Sequence, residues 1–345
     1  MKTQASRIQK TKKIKDAIVI TGVAGFLGSH LAEFYLSAGY SVIGLDNLCS
    51  GYKSNPKYLE KLASQSKIPF LFFKHDVTSP WPIKKMDSFL KKHKLKLRYV
   101  FHFASPASPP IYQRLAKETL WVNSIGTENA LSFADKHKAR VVFASTSEVY
   151  GDPEIHPQPE SYWGRVNPWG LRSCYDEAKR FGEALISNHN RTLKKKHGWV
   201  RIFNTYGPRM NPADGRVVIH FLGQALRNQD LSVQGSGLQT RSFCYVSDLI
   251  RGISKYAESG LCEPVNIGNP KEFTILELTQ VVQKLFPEKQ IKVVHGPAAV
   301  DDPQKRRPDI SKAQALLAWE PQIQLQEGLK LTLEWLKNQK LTDKF

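Results

Sequence analysis

A short apolar run that ends in evenly spaced glycines limits this chain to few folds. Ala17-Ile18-Val19-Ile20-Thr21 reads as a buried strand, since β-branched residues dominate and no charge interrupts it. Gly22, Gly25 and Gly28 follow at three-residue spacing, and an amphipathic stretch opening with Phe26 and Leu27 runs to Ser37. Strand, glycine turn and helix together present backbone N–H groups at a helix N-terminus, where the missing side chains let a pyrophosphate approach closely. The next strand, Ser41 to Leu45, ends at Asp46-Asn47. Asp46 stands near the ~20-residue offset at which an acid bonds the ribose hydroxyls of a dinucleotide. A carboxylate there repels a 2′-phosphate, so the expected cofactor is NAD rather than NADP.

Strand and helix patterns then alternate. Pro69 to Lys74 is a third strand ending at His75-Asp76-Val77, Arg98 to Ala104 a fourth, and Val141 to Ser145 a fifth. A helical pattern spans Tyr112 to His137. This predicts an α/β fold, a Rossmann-type doubly wound parallel sheet with ligands at the C-terminal strand ends. Asp76, Val77, Ala104 and Ser105 stand at such ends. The proline-rich run Ser105 to Pro110 reads as a loop over the cleft, too rigid for a helix or a central strand. After Phe203 the chain becomes turn-rich, with shorter elements at Leu231–Gln234, Arg241–Val246, Ile275–Leu285, Ile291–Val294 and Ile310–Ala318. The expected division is a basic lead-in over residues 1–16, an NAD-binding domain with the catalytic residues over 17–203, and a smaller α/β lobe over 204–345, partly interwoven with the first.

Tyr175 and Lys179 sit four residues apart, so on a helix they share a face. An ammonium beside a phenol favours the phenolate, which would let Tyr175 take a proton from a hydroxyl at neutral pH. The spacing alone is common on amphipathic helices. Its meaning comes from Thr146, Ser147 and Glu148, which the fifth strand delivers to the same sheet edge.

Composition narrows the class. With 41% hydrophobic residues and no apolar run near the ~20 residues of a membrane span, the chain reads as a globular enzyme without a membrane partner. Four scattered cysteines show neither a disulfide framework nor metal-ligand spacing, which fits a reducing, cytoplasmic setting without a metal. The formal charge of +19 gathers in the lead-in, between Lys84 and Arg98, and between Arg191 and Lys196. Solvated basic faces explain it best, since no nucleic-acid-binding motif accompanies it.

Several segments together resemble the extended short-chain dehydrogenase/reductases, and among them the UDP-glucuronate decarboxylases. They are Thr21–Phe26, His102–Pro110, Ser145–Pro153, Tyr162-Trp163-Gly164, Arg201–Met210, Asp214–Val218 and Asp301–Ile310. The resemblance implies oxidation at the sugar C4 with Tyr175 as base, Lys179 holding the phenolate and the nicotinamide ribose, and Thr146 bonding the reacting hydroxyl. Loss of carbon dioxide and reduction of the ketone would follow, giving UDP-xylose and restoring NAD. It implies Ser147 where related 4,6-dehydratases carry an acid, and Glu148 near C5. It adds Asn123 to the cofactor contacts and assigns Arg172, Asn204, Arg216, Arg241 and Arg306 to the UDP-sugar, with Arg306 also at the chemistry. It further implies a homodimer through the helices around Tyr112–His137 and Arg172–Lys195. Trp121-Val122 and Gln234 depart from the family pattern, so another nucleotide-sugar 4-epimerase or 4,6-dehydratase is the alternative. His102 and Cys174 are expected to shape the cofactor loop and to pack beside Tyr175.

Overall fold

Five consecutive buried residues place β1 (Ala17–Thr21) inside a sheet rather than at its edge. The structure, a computed structural model, describes residues 16–213, 215–298 and 303–339. Most of the basic lead-in, together with Asp214 and the Asp301-Asp302 pair of the family-like segments, lies outside the described residues. β1 pairs in parallel with β2 (Ser41–Asp46) on one side and with β4 (Leu97–His102) on the other. β3 (Phe70–Lys74) extends the first side. β5 (Arg140–Thr146), β6 (Gly198–Ile202) and the strand Val265–Ile267 extend the second, making seven parallel strands. The chain reverses its direction of winding between β1 and β4, and at that point a crevice opens beyond the carboxyl ends of the strands.

The helices follow the apolar periodicity with two instructive differences. α1 (Phe26–Ser37) matches its expected span, and α2 (Ser54–Ser66) and α3 (Ile83–Lys92) complete the first half. The stretch read as one helix from Tyr112 is two: α4 (Pro109–Arg114) and α5 (Ala116–Lys136), broken at Leu115, whose φ of −111° and ψ of 45° are not helical. Pro109 and Pro110 do not keep the chain out of a helix. They open α4, because the first turn needs no N–H from them and their φ suits a helix.

α6 (Ser173–Leu193) packs against β5 and α5. Gly182 permits that approach, since a Cβ there would stand 2.5 Å from the Phe143 ring. Buried Glu183 then ties helix to sheet, accepting from Ser145 Oγ at 2.5 Å and pairing with Arg201 of β6 at 2.7 Å.

The predicted strand Arg241–Val246 divides. Thr240–Ser242 pairs with Glu272–Thr274 and Lys305–Arg306, Cys244–Tyr245 pairs with Thr205–Tyr206, and Val246 begins a helix running to Ser259. The second half of the chain thus reaches the crevice through very short strands, while Val265–Ile267 joins the main sheet.

Candidate active site

The glycine turn shows why these positions carry no side chain. A Cβ on Gly28 would lie 2.1 Å from Gly22 O, and one on Gly22 would lie 2.8 Å from Ala104 N. α1 has neither a side-chain cap at Gly25 nor an acid in its first turn, so its first N–H groups face the crevice with the dipole's positive end. Asp46 ends β2 buried. One carboxylate oxygen accepts from Ala24 N at 2.9 Å and the other from Leu48 N at 2.7 Å. A carboxylate offers about four lone-pair sites, so Asp46 retains acceptor capacity for ribose hydroxyls. Asn47 Nδ2 donates to Asp76 Oδ2 at 3.3 Å and steadies the same rim. These residues fit a dinucleotide: an uncapped helix end for the pyrophosphate and a fixed acceptor for the ribose.

A cavity of about 1200 Å³ joins this cradle to the second half of the chain. Gly22, Gly25, Phe26, Leu27, Gly28, Asp46, Asn47, Asp76, Val77, Ala104 and Ser105 line one end. Thr146, Ser147, Glu148, Arg172, Tyr175 and Lys179 line its middle, and Asn204, Arg216, Arg241 and Arg306 the far side. Of the predicted positions only Asn123 stays out of it. Asn123 is buried in α5, where Nδ2 donates to Ser105 Oγ at 3.0 Å and to Thr119 O at 2.9 Å, so it orients the loop instead of facing a ligand.

At the centre, Tyr175, Lys179 and Glu183 follow at i, i+4 and i+8 along α6. Tyr175 stacks on Tyr112 of α4, with ring centroids 4.9 Å apart and planes within 5°, and it hydrogen-bonds Thr146. Lys179 Nζ donates to Ala144 O at 2.7 Å and lies 5.7 Å from the Tyr175 ring centroid. Burial, with Glu148 second, pushes the Tyr175 phenol well above its usual value, against the pull of Thr146 and Arg216. Burial also lowers Lys179 to about 7. Burial thus works against the charged form of both groups, while Lys179 stays on the same helix face as Tyr175, one turn away.

Glu148 is the electrostatic hub. Its oxygens pair with Arg306 at 2.5 and 2.8 Å, and Arg172 Nη2 donates to Oε2. Burial opposes the charge of Glu148, but Arg306 and then Arg172 outweigh it and hold the carboxyl well below the usual carboxylate range. The short strand Lys305–Arg306 pairs in register with Thr240-Arg241, which sets buried Arg306 beside buried Arg241.

Further residues, His102 and Cys174 among them, brace these. His30 Nε2 donates to Pro208 O at 2.8 Å, and burial, then Arg209, lowers its pKa to about 4. Arg209 in turn pairs with Glu33 at 2.6 Å, so α1 is clamped to the Asn204–Met210 loop. Neutral His102, lowered by burial to about 4, bridges Thr21 Oγ1 and Val122 O, and Thr21 Oγ1 receives Phe103 and Ala104 N–H. Cys174 Sγ donates to Tyr112 O. No sequence spacing announces Tyr112 or His30, because their partners are distant in the chain. A trio with ligand spacing, Asp135, His189 and His197, lies outside the cavity. His197 Nδ1 accepts from Val141 N, which leaves Nε2 as a donor to Asp135, and Lys195 occupies the same carboxylate. That arrangement is a hydrogen-bonded hub rather than a metal centre.

The model of the NAD dependent epimerase/dehydratase family matches residues 18–268. The chain belongs to that family. UDP-glucuronic acid decarboxylase 3 of Arabidopsis thaliana is 47% identical over 92% of this chain and 88% of its own length. Among solved structures, the UDP-glucose 4-epimerase of Thermotoga maritima superposes with a TM-score of 0.81 at 30% identity, covering 93% of this chain and 98% of that one. The UDP-glucuronic acid 4-epimerase of Bacillus cereus, solved with UDP-glucuronic acid and NAD, gives 0.80 at 26% identity, covering 93% and 99%. The glycine turn, Asp46, Tyr175 and Lys179 thus belong to an NAD-dependent member of this family.

Proposed function

We propose that this protein converts UDP-glucuronate to UDP-xylose and carbon dioxide with no net redox change. The observation that carries the reading is the buried Glu148, held by Arg306 and Arg172 beside Thr146 and Tyr175. Two guanidiniums at the reacting end of the cavity suit a sugar that carries a carboxylate. The 47% identical relative bears the decarboxylase name.

Tyr175 acts as the phenolate and accepts the proton of the C4 hydroxyl, and Thr146 orients that hydroxyl. Bound NAD supplies a reversible two-electron acceptor for the C4 hydrogen. The resulting 4-ketone is β to the carboxylate, so the C5–C6 bond breaks with its electron pair delocalised into the enolate. Arg306 holds the carboxylate until it leaves as carbon dioxide. A proton returns to C5 by way of water ordered at Glu148, the ketone is reduced at C4, and Tyr175 gives its proton back to O4. Ser147, uncharged, offers no acid for a C6 leaving group. Asp46 and the α1 N-terminus hold the dinucleotide, while Asn204, Arg216 and Arg241 hold the UDP portion.

The finer partner reading is a homodimer in the cytosol. Trp121 and Ile125 of α5 and Phe181 of α6 stand about half exposed on adjacent helices, a face that a second copy would cover. Size-exclusion chromatography with light scattering should give twice the 39.1 kDa chain mass. Ile125→Arg with Phe181→Arg should give the monomer, and a monomeric native protein would refute the dimer. The four cysteines are unbridged, as a reducing compartment would keep them.

Incubation with UDP-glucuronate tests the function. UDP-xylose and carbon dioxide should form in equal amounts. A product that retains its carboxylate would point instead to the epimerase reading.

A further inference from the structure

Asp176 is a buried acid that the proposed mechanism leaves unused. It follows Tyr175 in the first turn of α6, is 5% exposed, and does not line the cavity. Its Oδ1 is fully buried without a hydrogen-bond partner. A carboxylate oxygen left so is costly if charged and far less so if the group holds a proton. The groups around it come from four directions. Its electrostatic neighbours are Glu148 in the 3₁₀ turn after β5, Arg306 in the second half of the chain, Tyr112 in α4, and Arg172, Cys174, Tyr175 and Glu177 along its own helix and its N-cap. Burial, then Glu148, pushes the Asp176 carboxyl well above the usual carboxylate range, further than Arg172 and Arg306 pull it down. Of the two acids, Glu148 has the guanidinium hydrogen bonds, whereas Asp176 Oδ1 has no partner at all.

We propose that Asp176 is a positioning residue whose uncharged carboxyl group spares the Glu148–Arg306 pair a second buried anion, and so lets Arg306 receive the carboxylate of the sugar. This rests on the decarboxylase reading and deepens it. With Asp176 ionised, an incoming carboxylate would be the third negative charge around Arg306. With Asp176 neutral it is the second. Binding of the acidic sugar therefore requires the proton on Asp176, whereas binding of a neutral UDP-sugar does not.

The test is titration calorimetry of the NAD-loaded protein carrying Tyr175→Phe, so that sugar is not consumed, from about pH 6 to about pH 10. Affinity for UDP-glucuronate should fall about tenfold per pH unit once Asp176 ionises, as one linked proton requires. UDP-xylose, which meets the same Lys179 but brings no carboxylate, should lack that slope. Asp176→Asn should abolish the slope for UDP-glucuronate. Independently, the ¹³C carboxyl resonance of Asp176 in the ligand-free native protein should titrate at least ~2 units above the ordinary value of about 3.9. A resonance titrating at the ordinary value would overturn the proposal whatever the substrate. A slope that persists in Asp176→Asn would overturn it as well. Failure of UDP-glucuronate to bind at any pH, with Asp176 titrating high, would overturn the decarboxylase reading and this role along with it.

Discussion

Tyr175 is a buried phenol whose pKa its surroundings, burial first, push upward. Burial lowers Lys179 to about 7. Both side chains are nonetheless fixed, Tyr175 by the stacked Tyr112 and Lys179 by Ala144 O. Tyr175→Phe keeps the stack and removes only the hydroxyl. Turnover of UDP-glucuronate should drop by at least the ~10²–10⁴-fold of a general base, with sugar affinity little changed. Turnover near the native rate would remove Tyr175 from the mechanism. At the other end of the cavity, Asp46 spends one lone pair of each oxygen on backbone N–H groups, which fixes it for a ribose diol. Native protein should bind NAD far more tightly than NADP, and Asp46→Ala should narrow the gap. Equal native affinities would place Asp46 away from the ribose. Tyr175, Lys179 and Asp46 were legible because each is tied to its neighbours by local spacing. The pairing of Glu148 with Arg306 was not, because folding alone brings two such distant positions together.

At the scale of elements, the reacting groups depend on how closely α6 lies on β5. Gly182 sets that distance, since a methyl group there would meet the buried Phe143 ring. Gly182→Ala gains up to ~1 kcal/mol of helix propensity but meets an overpacking cost of ~1–3 kcal/mol. The net effect should be a lower melting temperature. It should also lower kcat more than it raises KM, because Tyr175 and Lys179 ride on the displaced helix. A melting temperature at or above native would show that α6 does not press on Phe143 as described. Five of the seven main-sheet strands, though not Gly198–Ile202 or Val265–Ile267, were readable from continuous apolar runs, as parallel strands packed within a sheet tend to be. The α4–α5 break and the split at Phe243 were not, because each depends on partners far along the chain. Leu115 breaks a helix that periodicity carries through. Ser242 and Cys244 pair with different strands, although no glycine or proline separates them in the sequence.

Across the whole molecule, the dinucleotide cradle comes from the first half of the chain and the paired arginines Arg241 and Arg306 from the second. Glu148 is the hinge between them in charge as well as in position. On the proposed reading, that arrangement would enclose the sugar between base, cofactor and guanidiniums, and a ketone formed at C4 would stay until it is reduced. The basic surface plays no part in this account, and nothing in the described residues requires it to. The central claim is that one hydrogen leaves C4, waits in the site and returns after the carboxylate has gone. Substrate deuterated at C4, incubated in ordinary water, should yield UDP-xylose that keeps the deuterium at C4, with no accumulation of free NADH. Unlabelled substrate in heavy water should yield UDP-xylose with one deuterium at C5. Loss of the C4 label to solvent, or a labelled product that still carries its carboxylate, would contradict the account.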